Sequence, residues 1–149
     1  MKATDLLRNA HELFRALFAE YPGASPARRR EIFRAIKDEL EIYARIEEEL
    51  FYPAMVRVRS DEARAIVRNG LEEHQILEGL LAQIDQMDTG DQGYDERMTA
   101  LRENVELHLR DEEERIFTQA VSHLSEARLE KIGSDMEARK KKLRGTGSG

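Results

Sequence analysis

The sequence predicts an all-α protein, an up-down-up-down four-helix bundle with an additional short C-terminal helix. Three observations carry this. Apolar residues recur at helical rather than alternating spacing along almost the whole chain. Helix breakers fall at only a few points. The chain also reads as two similar helix pairs: Tyr43-Ala44-Arg45-Ile46-Glu47-Glu48-Glu49 is echoed 65 residues later by His108-Leu109-Arg110-Asp111-Glu112-Glu113-Glu114. Before each copy comes a second echo, His11-Glu12-Leu13-Phe14 and His74-Gln75-Ile76-Leu77.

The first helix is expected from about Thr4 to Tyr21, stopped by Pro22-Gly23. Ser25 followed by Pro26 supplies an N-cap with proline at the first helical position, opening a second helix that reaches about Met55, with Pro53 bending or ending it. Ser60 with Ala63 onward starts the third, which runs to about Met87. The Gly-rich and Asp-rich stretch 88–93 closes it, and the fourth covers roughly Tyr94 to Val121. Ser125 caps a shorter, highly charged last helix to about Leu143, laid across the outside. The domain is therefore placed at 1–143, and the Gly-rich segment 144–149 is read as a flexible tail.

Composition narrows the chemistry. A chain of 149 residues fits one domain with a continuous core. It has no cysteine, which removes thiolate catalysis, iron–sulfur clusters, thiolate zinc sites and disulfides together. Any metal must sit among nitrogen and oxygen donors. The start lacks an uninterrupted apolar run and no segment has membrane-spanning length, so a soluble cytoplasmic protein with no membrane partner is expected. The formal charge is −6, and the clusters Arg28-Arg29-Arg30 and Lys140-Lys141-Lys142 read as solvated helix ends; no nucleic-acid partner is expected.

The helical faces hold the decisive signal. The inward stripe of the first helix is Leu7, His11, Phe14, Phe18; of the second, Ile36, Leu40, Tyr43, Glu47, Leu50, Ala54; of the third, Val67, His74, Leu77, Leu81, Ile84; of the fourth, Met98, Leu101, Val105, His108, Glu112, Ile116. Polar side chains thus interrupt otherwise apolar stripes. A lone core histidine or tyrosine is ordinarily a packing residue. Two carboxylates and three imidazoles buried in one core are another matter, since each unpaired charge costs several kcal/mol. A cation must compensate them. His11, Tyr43, Glu47, His74, His108 and Glu112 are therefore the candidate metal ligands, and His123, outside the pattern, is read as structural. Six ligands exceed what a tetrahedral zinc takes, and a carboxylate from each of two helices can bridge a pair of ions, which favours a dinuclear non-haem iron centre.

These residues resemble those of the hemerythrin-like, HHE cation-binding domain. The resemblance rests on Asp5-Leu6-Leu7 to His11 with Leu17-Phe18, on Glu47-Glu48-Glu49-Leu50-Phe51-Tyr52-Pro53, on Glu72-Glu73-His74, and on His108 with Glu112-Glu113, and it covers roughly residues 4 to 140. It implies a four-helix bundle holding two iron ions, oxo- or hydroxo-bridged and also bridged by Glu47 and Glu112. It implies His11, His74 and His108 as terminal ligands, and binding or reaction with dioxygen, hydrogen peroxide or nitric oxide. Two positions depart from the pattern. Tyr43 stands where the family has a histidine, and Glu78 stands where oxygen-carrying members have a second histidine after His74. Harder, anionic donors favour the ferric state, which argues against reversible oxygen carriage. Tyr43 either coordinates or only packs, and coordination is the preferred reading. The concrete expectation is a di-iron protein with catalase-like peroxide scavenging, as a monomer or weak homodimer; the alternative is a non-enzymatic module that binds or senses oxygen, nitric oxide or iron.

Overall fold

The computed structural model describes residues 1–147, and all regular structure in them is helical. Helix α1 spans Ala3–Glu20 and passes through a short 3-10 turn, Tyr21–Gly23, into α2, Pro26–Ile46. After α2 come a π-helical turn, Glu47–Phe51, and the short α3, Tyr52–Val56. Helix α4 is Asp61–Asp85, and α5 is Tyr94–Asp111, followed by a second π-helical turn, Glu112–Ile116, and α6, Phe117–His123. The C-terminal α7 is Glu126–Gly147.

All three serine caps form as the sequence requires. Ser25 Oγ accepts from the Arg28 N–H at 3.2 Å, Ser60 Oγ from Ala63 at 3.2 Å, and Ser125 Oγ from Arg128 at 3.1 Å. Each satisfies a donor that the first helical turn would leave unpaired. The chain reverses between long rods, α1 packs on α2 and α4 packs on α5, and the four-helix architecture results.

The last helix differs from expectation. It is 22 residues long and continues through Gly147, so the proposed tail boundary at residue 144 falls inside it; Ser148 and Gly149 lie outside the described residues. It packs on α1 and α2 and buries Leu129, Ile132 and Met136. Gly133 explains how closely it approaches: a Cβ there would lie 2.0 Å from the Met1 carbonyl oxygen, so the N-terminus can cross the helix only at a glycine. The periodicity of α7 is diluted by charge, which hid the narrow apolar stripe that docks it on the bundle.

The two π turns form the other departure, and they position the site. Each begins at a buried carboxylate, Glu47 or Glu112. In each, the backbone N–H five residues on, of Tyr52 or Phe117, donates to the backbone carbonyl oxygen of that glutamate. Proline is not the cause, since Pro53 follows the first turn but Thr118 follows the second. The extra residue shifts the helical phase. Leu50, expected in the core, is only partly buried, while Phe51 and Tyr52 turn fully inward.

Candidate metal centre

The fold brings all six predicted ligands to one place. None of His11, Tyr43, Glu47, His74, His108 and Glu112 exposes more than 4% of its surface. The three histidines turn Nε2 toward the two carboxylates. His11 Nε2 is 3.1 Å from Glu112 Oε1, His74 Nε2 is 3.0 Å from Glu47 Oε1, and His108 Nε2 is 3.1 Å from Glu112 Oε2 and 3.5 Å from Glu47 Oε1. The Tyr43 hydroxyl lies 2.9 Å from His11 Nε2 and donates to Glu112 Oε1. Among the described residues, donor atoms of Glu47, His74 and His108 lie within 4.8 Å of one another, as ligands of a single ion do.

Behind each imidazole stands a second carboxylate. His11 Nδ1 donates to Glu113 at 2.6 Å, His74 Nδ1 to Glu48 at 2.7 Å, and His108 Nδ1 to Glu73 at 2.8 Å. A proton held at Nδ1 leaves Nε2 as the free donor and fixes the plane of the ring, the arrangement by which proteins orient metal-binding histidines. Arg15 extends one of these pairs, donating to both Glu113 and Glu106. Sequence reasoning did not assign these residues. The signal was present in the doublets Glu47-Glu48, Glu112-Glu113 and Glu73-His74, where one member faces the centre and its neighbour in sequence reaches Nδ1 of a histidine on another helix.

Tyr52 was also missed. Its hydroxyl lies 3.4 Å from Glu47 Oε1, 3.4 Å from His74 Nε2 and 3.5 Å from Glu112 Oε2, so a second phenol faces the centre. Gly70 makes room for it, since a Cβ there would stand 2.6 Å from the Tyr52 hydroxyl. His123 is exposed and apart from the site, and Glu78 lies on the surface of α4 rather than among the ligands.

Electrostatics show what the arrangement lacks. Burial pushes the imidazoles toward their neutral form, but the surrounding carboxylates outweigh it. His11 and His74 titrate above the ordinary histidine range and His108 well above it. Burial and the charge of Glu112 push the Glu47 carboxyl up. Burial also opposes ionisation of Glu112, yet its hydrogen bond with Glu47 and the facing His108 hold it well below the carboxylate range. Without a cation, protons do the compensating. They do so incompletely, because Glu47 Oε2 is buried with no hydrogen-bond partner among the described residues. An acceptor stranded in this way costs on the order of 1–3 kcal/mol or more. The donor set of three imidazoles, two carboxylates and phenolic oxygens, with one oxygen lacking any partner, fits a hard or borderline metal cation.

Fold and site together define a helix-bundle cation-binding protein of the histidine–carboxylate class. The chain belongs to the hemerythrin HHE cation binding domain family, whose model matches residues 2–120. It is 32% identical over 151 residues to the uncharacterized protein Rv2633c of Mycobacterium tuberculosis, covering 98% of this chain and 89% of that protein. A DNA nickase of Nostoc sp. is 28% identical over 144 residues, which span 96% of this chain and 40% of the nickase. Among solved structures, the Hemerythrin HHE cation binding domain-containing protein of Mycobacterium kansasii, a homolog of Rv2633c, superposes with a TM-score of 0.86 at 24% identity, over 98% of this chain and 89% of that one, and so shares the fold. No helix among the described residues is long and apolar enough to cross a membrane.

Proposed function

We propose that the centre holds two iron ions and that the protein binds and reacts with dioxygen or hydrogen peroxide, with catalase-like removal of peroxide as the concrete activity. The observation that carries this is the convergence of three Nδ1-locked imidazoles on two buried carboxylates from different helices. In this reading Glu47 and Glu112, each within reach of two histidines, would supply carboxylate oxygens to hold the ions. His11 with Tyr43 serves one half, and His74 with His108 serves the other. Bound iron supplies the redox and Lewis-acid chemistry that no side chain here provides.

The protein's own part is legible in its residues. Phe14, Phe51 and Phe117 pack around the polar cluster and exclude bulk water. Glu48, Glu73 and Glu113 hold a proton at each Nδ1 and fix ring direction. The phenols of Tyr43 and Tyr52, pushed well above 10 by burial and the adjacent carboxylates, are protonated when no cation is bound and place O–H groups at this polar cluster in the core. The test is peroxide consumption by iron-loaded protein, followed as oxygen release. Turnover that disappears in His108→Ala supports the proposal. Iron-loaded protein that binds oxygen or nitric oxide but leaves peroxide untouched assigns the non-enzymatic reading instead.

A further inference from the structure

A cavity of about 820 Å³ opens beside the centre, between α2, α4 and the end of α7. Tyr43 and His74 line it, and so does Glu48, the carboxylate that holds His74 Nδ1. The other predicted ligands do not. Its volume lies in the range of pockets for organic molecules, roughly 300–1,000 Å³, and far exceeds the ~30 Å³ share of a water-sized ligand. Access for peroxide or dioxygen alone does not account for it.

The lining says what would fit. Leu40, Leu77, Leu81 and Leu143 supply apolar wall. The charges of the lining are unequal, with Asp38, Glu39, Glu41, Glu48 and Glu78 against Arg45 and Arg144, and Lys37 pairs Glu41 from outside the wall. Arg144 is paired with Glu39, and Arg45 stands 3.8 Å from Glu49. Glu78, exposed on α4, is paired with neither arginine. The two positions at which the sequence departs from the expected ligand pattern, Tyr43 and Glu78, both line this cavity. One brings a ring and the other a negative charge to the same wall.

We propose that this cavity is a binding site for a small organic cation, a molecule with an apolar body and an ammonium group, held against the His74 side of the metal centre. The leucine walls take the body, and the carboxylates, Glu78 foremost, take the charge.

The test titrates 2-phenylethylammonium into the full-length protein as purified, by calorimetry, with 3-phenylpropanoate as the anionic counterpart. Metal content is measured on the same sample, so a centre that fails to hold iron and a cavity that fails to bind are read separately. The ammonium compound is expected to bind at least roughly tenfold more tightly than the carboxylate, a difference of about 1.4 kcal/mol. Glu78→Lys is expected to erase that preference. Ala44→Trp, which fills the cavity from its wall, is expected to abolish binding with the helical spectrum unchanged. Equal or tighter binding of the carboxylate overturns the proposal, as does ammonium binding that survives Ala44→Trp. Failure of both compounds to bind, with slower metal uptake in Ala44→Trp, overturns it in favour of a plain access route.

Discussion

Tyr52 and Phe117 occupy the same place in the two halves of the molecule. Each follows its buried carboxylate by five residues across a π turn, and each stacks on a histidine of another helix: Tyr52 on His74 of α4 at 5.5 Å and 22°, Phe117 on His11 of α1 at 5.6 Å and 10°. Phe117 does the packing without a hydroxyl, so the hydroxyl of Tyr52 serves the centre rather than the core. Gly70, which admits it, is where this shows as stability. Gly70→Ala is expected to cost about 1–3 kcal/mol in urea unfolding through overpacking, against a helix that would otherwise gain from alanine. The penalty should shrink in a Tyr52→Phe background, where the nearest atom is gone.

The carboxylates behind the histidines should matter almost as much as the ligands. Glu73→Gln and Glu113→Gln each keep the side chain's size but weaken the hold on Nδ1. Each is expected to lower metal affinity by roughly 10- to 100-fold while the fold persists. Competition with a chelator of known affinity measures this, and unchanged affinity in both variants would show that the rings are positioned by packing alone.

Two phenols face the centre, which has a spectroscopic consequence. Iron bound there should show a broad visible band from phenolate coordination. Tyr43→Phe is expected to weaken or shift it, and the double variant with Tyr52→Phe to remove it. Tyr43→His restores the imidazole that the family pattern has at this position. A band that is identical in the double variant would mean that neither ring coordinates.

Titration gives a prediction with a definite sign. In the metal-free protein the three imidazoles titrate above the ordinary ~6.5, so they stabilise the fold fully below that pH. This contribution is lost as pH rises through the elevated values. Metal requires the same Nε2 atoms deprotonated, so loading releases protons and weakens as pH falls. Thermal unfolding should therefore differ above pH ~6.5: stability falling with pH for metal-free protein, and level for metal-loaded protein, whose folded and unfolded histidines are both deprotonated there. Parallel slopes would contradict the assignment of these histidines to the metal.

Much of this was legible in the residues. The helical period, the three serine caps and the His/Glu positions on apolar stripes place the bundle and its six inward polar groups, because i, i+4 spacing fixes a face whatever the rest of the fold does. Tyr52 was not legible, because an α-helical count puts Leu50 inward and only the π turn brings Tyr52 round. Glu48, Glu73 and Arg15 were not assigned because their roles depend on how the helices face one another, which periodicity leaves undetermined. The length of α7 was underestimated because its charged face outnumbers Leu129, Ile132 and Met136.

The most direct test is metal per chain, measured in wild-type protein and in His108→Ala after loading with ferrous iron. Two irons per chain are expected in the wild type, and loss of one or both is expected in the variant, with the helical spectrum preserved in each. A wild-type chain that folds without binding iron, or a His108→Ala chain that keeps its full complement, would contradict the di-iron centre.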